Sequence, residues 1–353
     1  MRANTTKWPT LAIVSIMLFA VTVSAQAQSL EISGFGKSRF GFQTDDGTLF
    51  INDHSLETAI DWETDEIAMH TLLTLSASED SAATFEMKEL YMQWFGESFD
   101  LRLGKQPVIW GKADAVFITD QVSPKNLEDF LTRDFADLRL AVTGAKLDIF
   151  RGAHRLELVY LPVFTPTRLP AADSIWYVTK PFPVTPVMEE AVLPEASLEN
   201  AEYFLRYSWS GTTADIQLVG GWYWSDTPVA TITDLQMTPG VGLTGITIQP
   251  EYYQTALAGF AASLPAGPVM LKAEVAANID QRLQAEMSAY SEGWTGKNTL
   301  FYMAGVEGSI LGTTVSLQFI QDYALDYEEA LVRDELLTTA TLAASRFFFR
   351  DTL

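Results

Sequence analysis

The sequence predicts an all-β chain: a transmembrane up-and-down antiparallel β-barrel of about 14 strands, with long external loops and short periplasmic turns. Segments in which apolar and polar residues alternate recur from residue 30 to residue 349. The connections between them alternate between a long polar loop and a tight turn, the asymmetry of a barrel whose loops and hairpins lie on opposite sides of a membrane. Beyond residue 28 no run of about 20 apolar residues occurs, so no membrane-length helix is encoded.

The chain opens with Arg2 and Lys7, an apolar run over 11–23, and small residues at Val23-Ser24-Ala25. These are the parts of a secretory signal peptide over 1–25, with cleavage after 27 as the alternative; residues 28–353 then form a single outer-membrane barrel domain. The leader holds two bases and no acid, so its loss leaves 21 bases against 45 acids, a net charge of -24. Such a charge argues against nucleic acid as a partner. The expected surroundings are the lipid and lipopolysaccharide of a Gram-negative outer membrane, reached through the barrel-assembly machinery. With no cysteine, neither disulfides nor thiolate metal sites contribute to stability.

The first segment, 30–43, carries Lys37 and Arg39 opposite Phe40 and Phe42, and a loop over 44–53 follows. Residues 54–62 return with Leu56, Thr58, Ile60 and Trp62 on one face and Glu57 and Asp61 on the other. Over 67–77 the apolar face is Ile67, Met69, Leu73 and Leu75, and 83–95 ends in aromatics that suit a membrane-interface girdle. Phe99, Leu101 and Leu103 start the fifth strand against Asp100 and Arg102, and 110–137 is a long loop. Strands over 138–150 and 154–163 meet at Arg151-Gly152-Ala153, with Arg155 and Glu157 opposite Leu156, Leu158 and Tyr160.

A proline-rich stretch, 164–198, reads as an external loop and not a linker, because Tyr203, Leu205, Tyr207 and Trp209 resume the same alternation. Short turns are expected at 210–212, 265–267 and 311–313, and long loops at 225–249, 280–296 and 324–335. The chain ends in Leu353, whereas outer-membrane barrels usually finish in an aromatic residue. Either the last strand is atypical or the chain is cut short, in which case an intact version with one more hairpin would have 16 strands.

The stretch Leu101-Arg102-Leu103-Gly104-Lys105-Gln106-Pro107-Val108-Ile109-Trp110-Gly111 resembles the glycine, basic residue, glutamine, Trp-Gly pattern of a Gram-negative porin-like outer-membrane family, catalogued as domain of unknown function 1302. There the Trp-Gly step precedes a loop with an Asn-Pro or Ser-Pro turn, a place that Val122-Ser123-Pro124-Lys125-Asn126-Leu127 takes in this chain. The resemblance covers about 101–162 and implies a barrel that partners lipid- or hydrophobe-handling export systems.

Ser123 fits a helix N-cap, with Pro124 at the first helical position and Leu127, Phe130 and Leu131 as an apolar side. Trp110, Gly111, Ser123, Pro124, Asn126, Leu127 and Phe130 are therefore the candidate constriction loop, either narrowing the barrel mouth or capping its rim.

Strand parity nominates Lys37, Arg39, Glu57, Asp61, Arg102, Arg139, Arg155, Glu157, Arg206, Lys272 and Glu274 as pore-lining residues. Opposed charges there would set up a transverse field over a lumen, or ion pairs that fill it. The three histidines, His54, His70 and His154, fall in separate places, and no metal-binding or phosphate-binding motif occurs. No enzyme and no cofactor are expected. Two functions stay open: a channel for small or hydrophobic molecules, and a plugged barrel serving as docking scaffold for a periplasmic lipid-transport partner. A 14-strand barrel is wider than side chains alone can fill, which favours the channel.

Overall fold

In the computed structural model the described residues are 29–346 except 43, 45–46, 48, 79–80, 115, 130–131, 134, 172–173 and 178–183, and of 49–50, 81–82 and 136 only the backbone is described. The expected leader, Phe130 and the terminal residues 347–353 lie outside them. The chain divides into two units, one ending at Gln106 and the other beginning at Pro107.

The first unit is an antiparallel meander of β1 (Ser29–Phe42), β2 (Leu49–Glu63), β3 (Ile67–Ser78), β4 (Ser81–Phe95) and β5 (Phe99–Gln106), each paired with the next. The second contains β6 (Val142–Arg151), β7 (His154–Leu161), β8 (Val187–Met188), β9 (Glu202–Ser210), β10 (Asp215–Trp224), β11 (Val229–Thr238), β12 (Gly242–Glu251), β13 (Gln254–Ala266), β14 (Val269–Gln284), β15 (Trp294–Ile310), β16 (Thr313–Ala324) and β17 (Leu336–Ser345). Here β6, β7, β9, β10, β13, β14, β15, β16 and β17 pair antiparallel in that order. Fourteen strands thus belong to the meander, as the alternation predicts. The other three, β11, β12 and β8, make a small separate sheet within connections read from sequence as plain loops.

Burial in the second unit reverses that of a water-soluble sheet. Along β7 and β9 the charged Glu157 is 1% exposed while Leu205 is 44% exposed. The expected row Tyr203, Leu205, Tyr207, Trp209 does occupy one face of β9, and Glu202, Phe204 and Arg206 the other. Apolar side chains also stand exposed at Leu218, Leu264, Leu271, Leu317 and Leu342. Rows of large apolar residues facing outward, with charges buried behind them, are what a sheet bathed in hydrocarbon requires.

Two expectations about connections need correction. The strict alternation of long and short fails between β3 and β4, which residues 79–80 alone join. The strand expected from 138 begins only at Val142, so Arg139 belongs to the connection before it. Among the described residues no helix is long and apolar enough to cross a membrane.

Candidate functional site

The connection 107–141 folds back across one face of its own unit, here the inner face. Val108, Trp110, Ile118 and Val122 bury themselves against Val142 on β6, Val159 and Leu161 on β7, Phe204 on β9, Val219 and Tyr223 on β10, Leu257 on β13, Ala276 on β14, Met303 on β15 and Ile320 on β16. These wall positions share a face because strand side chains alternate with period two. At about 25 cal/mol per Å2 of apolar surface, full burial of each Val, Leu, Ile, Phe or Met side chain among them contributes about 1.5–3 kcal/mol.

Polar anchors then fix the register of the segment. Trp110 donates its indole N–H to Glu157 at 2.5 Å, and its ring packs edge-on against Phe204. Glu157 also accepts from Arg206 at 2.7 Å and Arg155 at 2.9 Å, while Lys146 and Arg155 meet Asp148 at 2.9 and 2.8 Å. The network holds three cations and two carboxylates, so each buried charge has an opposite neighbour.

Next to Trp110 the backbone turns at Gly111, where φ is +83°. A Cβ there would stand 3.0 Å from both carboxylate oxygens of Glu274, so only glycine allows the approach. Glu274 is 2% exposed and accepts the backbone N–H groups of Lys112, Ala113 (2.5 Å) and Thr119 (3.2 Å), with the Thr119 hydroxyl at 2.9 Å. Farther on, Asp114 accepts from Lys272 at 2.9 Å and Ser316 at 3.0 Å, and its backbone carbonyl accepts from Gln318 at 2.8 Å. Hydrogen bonds to a charged group contribute about 1.5–3 kcal/mol each, so this seat is strongly held.

The helix expected after Ser123 is not formed. Ser123 spends its hydroxyl on the Val108 N–H at 2.9 Å, leaving no cap. Residues 124–127 run extended between two neighbours: Asn126 N–H donates to Leu138 O at 2.6 Å, Leu140 N–H to Pro124 O at 2.8 Å, and Leu127 N–H to Arg168 O at 2.8 Å. A short 3-10 turn stands at Phe135–Leu138. Asp120, 2% exposed, takes Arg139 at 2.7 Å and the Trp110 N–H at 3.2 Å. Lys125 lies over the Phe117 ring, and burial lowers its pKa. In the 225–228 connection, burial pushes the Asp226 carboxyl up to about 7, with Lys125 opposing and Asp120 adding to the shift.

Of the nominated charges, Arg155, Glu157, Arg206, Lys272 and Glu274 all stand on the inner face of the second unit and touch the connector or its anchors. Lys272 bridges Asp114 and Glu307. In the first unit, Lys37 sits opposite Ser55 on β1, and Arg39 pairs with Asp53. Glu57 accepts from Lys88 at 2.5 Å and from Thr74 at 3.3 Å, and Asp61 lies 2.6 Å from the His70 Nδ1. Arg102 donates to Gln93 at 2.7 Å and covers the Tyr91 ring. Neighbouring strands thus pair their charges across one face, and the histidines gather no shared centre. No group of three or more residues suited to a metal occurs among the described residues.

Sequence reasoning missed Asp114, Thr119, Asp120, Lys146, Asp148 and Gln318. Gln318 and Ser316 alternate with Leu317 and were readable as inward, but their partners are the backbone carbonyl and the side-chain carboxylate of Asp114, 204 and 202 residues away, which no local pattern encodes.

No family model and no curated protein matches the chain. Among solved structures it is similar to OmpT of Vibrio cholerae, an outer-membrane protein, at 10% identity and TM-score 0.49, over 91% of this chain and 84% of that one. It is also similar to Salmonella typhi OmpF in complex with daunomycin, at 10% identity and TM-score 0.49, over 92% and 88%. The outer-membrane channel DcaP of Acinetobacter baumannii is similar at 8% identity and TM-score 0.44, over 88% and 84%.

Proposed function

We propose that the chain is a porin-like channel of a Gram-negative outer membrane, its fourteen meander strands closing into a barrel and its 107–122 segment narrowing the lumen. The single observation that carries this reading is the inverted burial of the second unit: charges and a folded-in connector on one face, rows of exposed leucines on the other. Water-filled barrels divide their faces in this way, and an inward connector supplies the narrowing. Lys37, Arg39, Glu57, Asp61, Arg102, Arg155, Arg206 and Lys272 then line the lumen or its walls. Membership of the family known as domain of unknown function 1302, and passage of small or hydrophobic solutes, belong to the same reading.

One observation favours the plugged alternative, in which the barrel docks a periplasmic lipid-transport partner. The connector shares a continuous apolar core with the wall, as a permanent plug would. Single-channel recording separates the two: discrete conductance from the intact chain, raised when residues 112–119 are excised, supports the narrowed channel. A folded, inserted chain that conducts in neither form overturns it in favour of the plug.

A further inference from the structure

We propose that the inner face of the first unit holds an oxyanion subsite at Arg102, shaped for the carboxylate of a passing solute; this rests on the channel reading above and names a solute class for it. Two other cations of that face are neutralised where they stand. Arg39 meets Asp53 at 2.9 Å, and Lys88 meets Glu57 at 2.5 Å. Arg102 forms no ion pair among the described residues.

Two neighbours hold its guanidinium without discharging it. On β4, Gln93 stands directly across from Arg102 in the register. Its Oε1 accepts Arg102 Nε at 3.0 Å and Nη2 at 2.7 Å, and its Nε2 donates to Asp100 Oδ2 at 3.3 Å. The amide therefore comes between Arg102 and the nearest acid on its own strand, fixing the fork and leaving its charge in place. Tyr91 supplies a floor, its ring centroid 4.3 Å from Arg102 Cζ, and stacks in turn on His70 at 5.1 Å. Glu89, the other acid close by, leans to β3 and stands 3.6 Å from His70 Nε2.

What remains is a planar cation with one edge and one face fixed. Nη1 takes no partner among the described residues, and Arg102 is only partly buried. At the next inward position of β5, Gly104, a Cβ would collide with the Leu90 carbonyl oxygen, so β5 sets no side chain beside the fork on that side. The open edge, Nη1 with the outer N–H of Nη2, matches two coplanar oxygens, which is the geometry of a carboxylate. Fixing the guanidinium in advance removes much of the rotamer entropy that a free arginine gives up on binding. Phosphate offers a similar pair of oxygens, but its greater charge is set against Asp100 and Glu89.

The test is arginine modification by phenylglyoxal on the detergent-purified chain, read residue by residue by mass spectrometry, in sodium chloride, acetate or phosphate of equal ionic strength. Arg102 should react in chloride, and about 0.1 M acetate should slow it about tenfold while Arg39 keeps its rate. Equal rates at Arg102 in chloride and acetate overturn the proposal, as do protection by phosphate alone and equal slowing at Arg39. Gln93→Glu lays a carboxylate on the fork itself, so acetate should then slow Arg102 by less than about twofold. Undiminished protection in that variant also overturns the proposal, and the comparison of salts in the natural chain decides the matter if the variant fails to fold. An Arg102 that does not react in chloride overturns the subsite together with an accessible lumen. Failure of the open channel alone looks different: acetate protects Arg102, yet no current crosses a bilayer holding the inserted chain.

Discussion

At Glu274 a buried carboxylate is held by backbone N–H groups of the connector, and among the described residues no cation pairs with it. Removing it leaves three backbone N–H groups and the Thr119 hydroxyl without their acceptor, at about 1–3 kcal/mol for each that stays buried. Glu274→Ala should therefore release the segment around Lys112 and Thr119. Hydrogen exchange at those amides should quicken by about a hundredfold, and unchanged protection would show that the apolar contacts alone hold the connector. Gly111→Ala attacks the same contact from the other side. Its left-handed φ and the clash with Glu274 together cost on the order of 1–3 kcal/mol, so a lowered thermal midpoint in detergent is expected. Gly111 was legible as a special position from the Trp-Gly step, but its partner was not, because Glu274 lies in another strand far along the chain.

Among the elements, strands were the most readable, since period-two alternation survives wherever one face meets hydrocarbon and the other does not. Leu205 and Glu157 follow it directly. The 124–131 segment misled because Ser-Pro is a valid helix start in isolation. Here the bonds from Asn126 and Leu127 to neighbouring connections outcompete the local turn. The clasp formed there has a pH dependence with a definite sign. Asp226 has its carboxyl raised to about 7 in the folded chain, above its ordinary 3.8, so the folded state binds the extra proton. Stability of the clasp then falls as pH rises from about 4 through 7 and levels off above it. Hydrogen exchange over 124–127 and 165–168, corrected for intrinsic rates, should show this trend in the natural chain, and Asp226→Asn should reduce it. A clasp that strengthens toward pH 7 would contradict the assignment.

For the whole molecule, the lack of any cysteine permits a direct map of which face meets lipid. Single cysteines at the exposed Leu218, Leu264 and Leu317 should react with membrane-soluble maleimides in vesicles and resist charged ones. Cysteines at Glu57 and Asp61 should show the reverse, and equal labelling at all five would reject a barrel wall. The inward connector also bears on how such a chain assembles. Lys112 meets Glu274 across 162 residues, and Asp114 meets Ser316 across 202. When the connector is first synthesised, the strands that receive it do not yet exist, so Trp110, Ile118 and their neighbours wait uncovered. Contacts of such separation form slowly, and a half-made chain carries a sticky surface meanwhile. The last third of the sequence therefore acts as the release step for the first: a holding chaperone should dissociate only once β14 to β16 have joined the sheet.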